Sequence, residues 1–134
     1  MGHDFTYLRL KMPIDSFPFK PGKEFDFYTE VEQLPEVEVL ASLLEKEGFR
    51  KNGKDEEGNM WYWWDTPGGG SLDVRLSKDR LTIGVDTHAH WKYVLSLLRF
   101  LKSHVVGLLV VDNPTITIYD DNSYNEYVKM NFGK

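Results

Sequence analysis

Residues 60–85 read MWYWWDTPGGGSLDVRLSKDRLTIGV, and the spacing within them decides the architecture. Leu72, Val74 and Leu76 alternate with Asp73 and Arg75, while Leu81, Ile83 and Val85 alternate with Thr82 and Gly84. A period of two is the mark of strands that bury one face. Three strands are therefore predicted, at Met60 to Asp65, Ser71 to Leu76 and Arg80 to Val85. Pro67 to Gly70 supplies a loose turn between the first two, and Ser77 to Asp79 a tight one between the last two. Together they make an antiparallel meander.

Upstream of the meander, the polar stretch Arg50 to Asn59 contains Asn52-Gly53 and Glu57-Gly58 and is expected to be a loop. A helix is predicted before it, from about Pro35 to Glu47. Proline suits the first helical position, Glu36 and Glu38 complement the helix dipole, and Gly48 is placed to end the helix. Val37, Leu40, Ala41 and Leu44 form its apolar stripe, widened by Leu43. Further back lie a strand at Phe5 to Leu10 and a connection from Met12 to Leu34 with no clear period. The connection holds Phe17, Phe19, Phe25, Phe27 and Tyr28, too many aromatics to face water, so it is expected to lie over something apolar.

Downstream, a second helix is predicted to begin at Asp86 or Thr87 and end near His104. Trp91, Val94, Leu95, Leu98 and Leu101 lie on one stripe, with Lys92, Arg99 and Lys102 off it. Strands at Gly107 to Val111 and Thr115 to Tyr119 follow, joined by Asp112-Asn113-Pro114. The tail from Asp120 is polar, with Tyr124, Tyr127 and Phe132, and is expected to add a short element or lie on the surface. The predicted order is β-α-β-β-β-α-β-β. The fold class is α+β, one domain over residues 1–134 with two helices packed on one face of an antiparallel or mixed sheet.

The chain has 134 residues, 14% of them aromatic, and no cysteine. It is long enough for one hydrophobic core and has neither disulfides nor thiolate metal sites, which favours a reducing, cytoplasmic location. No stretch has the length and apolarity of a membrane span or a signal peptide. The net charge of −5 argues against nucleic acid as a ligand, because phosphate binding needs a surplus of lysine and arginine. The acidity is concentrated: eleven acids face four bases between Glu24 and Glu57, a local charge of −7 that leaves +2 for the rest. Such a segment is either a solvated face or a field that steers a basic partner.

Catalytic chemistry finds little purchase. No Gly-x-Ser-x-Gly elbow is present, and Gly68-Gly69-Gly70 leads into a strand and not into a helix whose N-terminus would hold phosphate. No motif implies a cofactor. The one metal-like signal is His88-Ala89-His90, which would need a third ligand such as Asp86 or Asp112 to serve a small metal-dependent hydrolase; the competing reading is an exposed first helical turn. Paired carboxylates for acid–base work would have to come from Asp112, Asp120, Asp121 and Asp86, which otherwise read as surface acids. Along the strand at Met60 to Asp65, Trp61 and Trp63 share one face and Met60, Tyr62 and Trp64 the other. One aromatic face belongs under the helices. The other must be covered by the aromatic connection, a second protomer in a homodimer, or a protein partner.

Several stretches together resemble the small bacterial immunity proteins of polymorphic toxin systems, cytosolic antidotes to delivered toxins. They are Asp4-Phe5-Thr6-Tyr7-Leu8, the aromatic strand at Trp61 to Trp64, Thr87-His88-Ala89-His90-Trp91 ahead of a leucine-rich helix, Val110-Val111-Asp112-Asn113-Pro114 and Tyr119-Asp120. The resemblance implies a non-catalytic protein that occludes a basic toxin domain. Trp61 and Trp63 would then be anchors, and Asp55, Glu56, Glu57, Asp120 and Asp121 the charged contribution, the acidic loop itself having little structural role. The remaining alternative is a structural or phage-derived module that self-associates through its tryptophan face.

Overall fold

The computed structural model describes residues 2–132. The predicted meander is present, as strands β4 (Met60–Asp65), β5 (Ser71–Leu76) and β6 (Ile83–Thr87), preceded by an edge strand β3 (Arg50–Lys54). The other strands are β1 (His3–Leu10), β2 (Val31–Glu32), β7 (Leu109–Asp112) and β8 (Thr117–Tyr119). All pair antiparallel in the order β3-β4-β5-β6-β1-β7-β8, with β2 added to β1. The N-terminal strand thus lies between β6 and β7, which are joined across it by a helix.

Among the described residues four helices accompany the sheet, two more than predicted: α1 (Phe27–Glu30), α2 (Val37–Lys46), α3 (Lys92–Lys102) and α4 (Asp121–Phe132). Leu40, Leu43 and Leu44 of α2, Leu98 and Leu101 of α3, and Tyr124 and Val128 of α4 share one core with Phe5, Tyr7, Tyr62, Leu72, Val74, Ile83 and Val85 of the sheet. The predicted helices therefore do cover one face, joined there by α4. On the opposite face a smaller cluster gathers Leu8, Val31, Leu109, Val111 and Ile118 beneath Phe17, Phe19 and Phe27 of the long connection.

The helix ends follow from local chemistry. At the end of α2, Gly48 adopts φ +94°. Its N–H donates to the Glu45 carbonyl at 3.1 Å and the Phe49 N–H to the Leu44 carbonyl at 3.0 Å, a Schellman arrangement that a residue with Cβ resists. At the start of α4, Asp120 Oδ1 accepts the Ser123 N–H at 2.8 Å, while Ser123 Oγ accepts the Asp120 N–H at 3.1 Å. This is a reciprocal cap.

Five expectations need correction. Arg50 to Lys54 is a strand and not a loop; as a polar edge strand with a register shift between Lys51 and Gly53, it carries no hydrophobic period. Asp86 and Thr87 do not cap α3 but continue β6, and Thr87 Oγ1 instead holds a turn by accepting the Ala89 N–H at 3.1 Å. The strand expected from Arg80 begins at Ile83, because Arg80 closes the preceding turn at φ +64°. The strand expected from Thr115 begins at Thr117, because Ile116 sits in the left-handed region at φ +50°. The tail is a full helix, buried through Tyr124 and Val128 one turn apart.

Candidate functional site

Because direct cross-strand partners share a face, the register defines two rows on the side of the sheet away from α2, α3 and α4. One row runs Trp63, Asp73, Asp86, Asp4; the other runs Trp61, Arg75, Gly84, Thr6. Trp61 and Trp63 lie outside both apolar clusters and are partly exposed, whereas Met60, Tyr62 and Trp64 of the same strand pack on the helix side. The long connection covers the β7 and β8 end of this face and leaves the meander end open.

The open face is built, not merely left over. Trp61 Nε1 donates to Asp55 Oδ2 at 2.8 Å, and the Arg50 guanidinium lies 5.4 Å from the Trp63 ring, within cation–π range. Between the tryptophans and β1, a depression of about 290 Å³ is lined by Asp4, Thr6, Trp61, Arg75, Gly84 and Asp86. Its floor depends on Gly84. A Cβ there would stand 3.1 Å from Cζ and Nη2 of Arg75, so the absent side chain lets the guanidinium lie against the sheet. Arg75 Nε is the one buried side-chain nitrogen or oxygen without a hydrogen-bond partner among the described residues. An orphaned donor of that kind costs about 1–3 kcal/mol until something supplies an acceptor.

The carboxylates on this face repel one another. Desolvation raises the Asp4 carboxyl above its ordinary value, and its contact with the Asp86 carboxylate raises it further, against the opposing pull of His3 and Arg75. Asp86 Oδ2 also lies 3.3 Å from His88 Nε2. A second, apolar cleft of about 410 Å³ adjoins the depression through Thr6 and Asn113, with Leu8, Leu81 and Val111 in its lining and the exposed Tyr28 and Ile116 beside them.

The other residues singled out from sequence fall in four places. Glu56 and Glu57 are exposed at the tip of the β3–β4 hairpin, beside the open face. Asp55 stands with them but has a structural role that corrects the expectation of a dispensable acidic loop: it accepts from Trp61, from the Asn59 N–H at 2.9 Å and from the Glu57 N–H at 3.0 Å. The Trp61 contact above all holds its carboxyl below the usual range. Asp120 and Asp121 are not on this face. Asp120 caps α4, and Asp121 Oδ1 lies 2.7 Å from Lys102 Nζ with Arg99 Nε 3.3 Å from Oδ2. Partial desolvation opposes these cations, yet Lys102 and Arg99 hold the Asp121 carboxyl below its ordinary value.

His88 and His90 do not form a chelating pair. His90 packs at a tilt against Phe132, ring centroids 4.3 Å apart, and its Nδ1 accepts the Lys92 N–H at 3.0 Å, which starts α3. Asp112 does not meet Asp86 either. It is fully buried toward the helices, where it accepts from Tyr127 Oη and Thr115 Oγ1, each at 3.0 Å, and pairs with His3 Nε2 at 2.6 Å. Desolvation first and the Asp112 charge second push the Tyr127 phenol up to about 12. Sequence reasoning passed over Asp4, Asp73 and Arg75, although the alternation from Leu72 to Leu76 already placed Asp73 and Arg75 on the face that carries Trp61 and Trp63.

No family model, no curated protein and no solved structure matches this chain. What stands is the architecture: an α+β chain with an antiparallel sheet, helices α2, α3 and α4 on one face and an aromatic, acidic, partly uncovered patch on the other. No helix among the described residues is long and apolar enough to cross a membrane.

Proposed function

We propose that this chain is a non-catalytic binding protein that grips a protein partner with the helix-free face of its meander, and that the partner is a basic toxin domain, as for an immunity protein. The observation that carries the reading is the open face itself. Two partly exposed tryptophans stand there beside three carboxylates and a buried guanidinium nitrogen that lacks an acceptor. Tryptophan is a favoured interface anchor because it buries a large rigid area at little conformational cost. The carboxylates Asp4, Asp73 and Asp86, with Glu56 and Glu57 at the hairpin tip, set up the field that speeds association with a basic surface. A partner carbonyl or carboxylate completes Arg75. The same row of acids disfavours self-association: a two-fold contact through this face brings the aspartates against their own copy.

The test takes the product of the gene directly upstream, which the proposal expects to carry a toxin domain, and produces it in a bacterial host alone and with the chain. Neutralisation by the wild type is expected. Joint replacement of Trp61 and Trp63 by alanine weakens the complex at least tenfold, mainly by faster dissociation, while Asp120→Ser leaves affinity unchanged. Growth arrest that persists with the wild-type chain overturns the proposal.

A further inference from the structure

Asp86 lies in β6 and His88 directly follows it two residues on, so both project from the side of the sheet away from α2, α3 and α4. The pairing persists through His88, whose N–H donates to the Ser71 carbonyl at 2.8 Å. Asp73 stands directly across from Asp86 on β5. One donor atom from each of Asp73, Asp86 and His88 lies within 4.8 Å of the other two, a spacing that small rotamer adjustments close onto one ion bound at about 2.0–2.2 Å. The His-x-His spelling of the sequence is thus replaced in three dimensions by an Asp-x-His unit and a cross-strand Asp.

We propose that Asp73, Asp86 and His88 hold one divalent transition-metal ion. An ordinary ion pair explains only part of the group. The Asp86–His88 contact at 3.3 Å satisfies two of its members, while Asp73 makes no ion pair among the described residues and Asp4 is crowded against Asp86. A cation relieves that crowding of like charges. Arg75, whose buried Nε has no acceptor, lines the neighbouring depression with Asp86 and Asp4 and is no part of this group. Three protein donors leave coordination positions open to solvent. One imidazole with two carboxylates suits zinc, cobalt or manganese better than magnesium or calcium, which prefer all-oxygen shells.

The experiment uses the full chain without a polyhistidine tag, stripped with a chelator and titrated by calorimetry with zinc and with cobalt. The expected result is saturation at one ion per chain with a dissociation constant on the order of micromolar. Cobalt should also quench the fluorescence of Trp63, the cross-strand neighbour of Asp73. His88→Ala and Asp73→Asn each weaken binding at least about tenfold, since each removes a direct ligand and loss of the groups that merely orient ligands already costs about 10–100-fold, while His90→Ala leaves it unchanged. Added zinc raises the unfolding temperature of the wild type and not of His88→Ala, which separates lost binding from lost folding. Absence of saturable binding, binding that survives both substitutions, or preference for magnesium or calcium overturns the assignment.

Discussion

Replacing Asp112 by alanine should test how the two ends of the chain are tied together. The carboxylate is fully buried on β7, beneath α4, and serves three groups: His3 from the N-terminal strand, Tyr127 from the C-terminal helix and Thr115 from the hairpin turn. Hydrogen bonds to a charged group contribute about 1.5–3 kcal/mol each. Simple addition overstates the loss, since His3 and Thr115 retain access to water. Loss of one side of a buried charged contact costs about 3–5 kcal/mol, and that is the expected destabilisation. For a chain of 134 residues the unfolding entropy is about 0.28 kcal/mol per kelvin, so the midpoint should fall by roughly 11–18 °C. Thermal and urea unfolding followed by circular dichroism measure it. A shift below about 1 kcal/mol, within the range of an ordinary surface substitution, would refute the claim that this network joins β1, β7 and α4.

Four further substitutions have expected outcomes. Tyr62→Ala, in the core beneath α2, should cost about 3–5 kcal/mol, whereas its neighbour Trp63→Ala should cost about 1 kcal/mol; urea midpoints that rank them the other way would invert the assignment of faces. Asp4→Asn should be neutral or stabilising by a few tenths of a kcal/mol at neutral pH, the scale of surface charge interactions. The sign follows from the raised carboxyl, whose protonated form the fold favours: its contribution is present below the unfolded value near 4 and is lost as pH rises through the folded one. The advantage of asparagine should therefore vanish in acid, and an advantage confined to acid would contradict the argument. Gly48→Ala should cost about 1 kcal/mol because it places a Cβ in the left-handed region, measurable as a shift in urea midpoint with an unchanged slope; no loss would mean that the turn after α2 tolerates another geometry.

Much of the sheet was legible because burial on one face writes a period of two into β5 and β6, and α2 announced itself through its leucine stripe and Gly48. The elements missed are those whose pattern is weak or borrowed. The edge strand β3 is polar throughout, from Arg50 to Lys54, and is held by pairing with β4 and not by burial. In α4 the burial rests on Tyr124 and Val128 in an otherwise polar helix, so no stripe signals it. The start of α3 was placed too early because Asp86 and Thr87 have capping side chains, and only the pairing with β1 and β5 shows them to be strand. For the candidate site, the division of the tryptophan strand into two faces followed from alternation alone. The separation of Asp120 and Asp121 from the tryptophans did not, since it depends on where α4 docks. The approach of Asp4 to Asp86 likewise depends on β1 crossing to lie beside β6, which no local pattern records.

We propose the meander face away from α2, α3 and α4 as the working surface, and amide hydrogen exchange on the chain with and without the product of the adjacent gene measures whether it is. Protection should appear over residues 50–65 and 71–76 and around Gly84 to His88, with α3 and α4 unchanged. Protection concentrated on α2, α3 and α4, with the tryptophan strand exchanging as in the free chain, would contradict it.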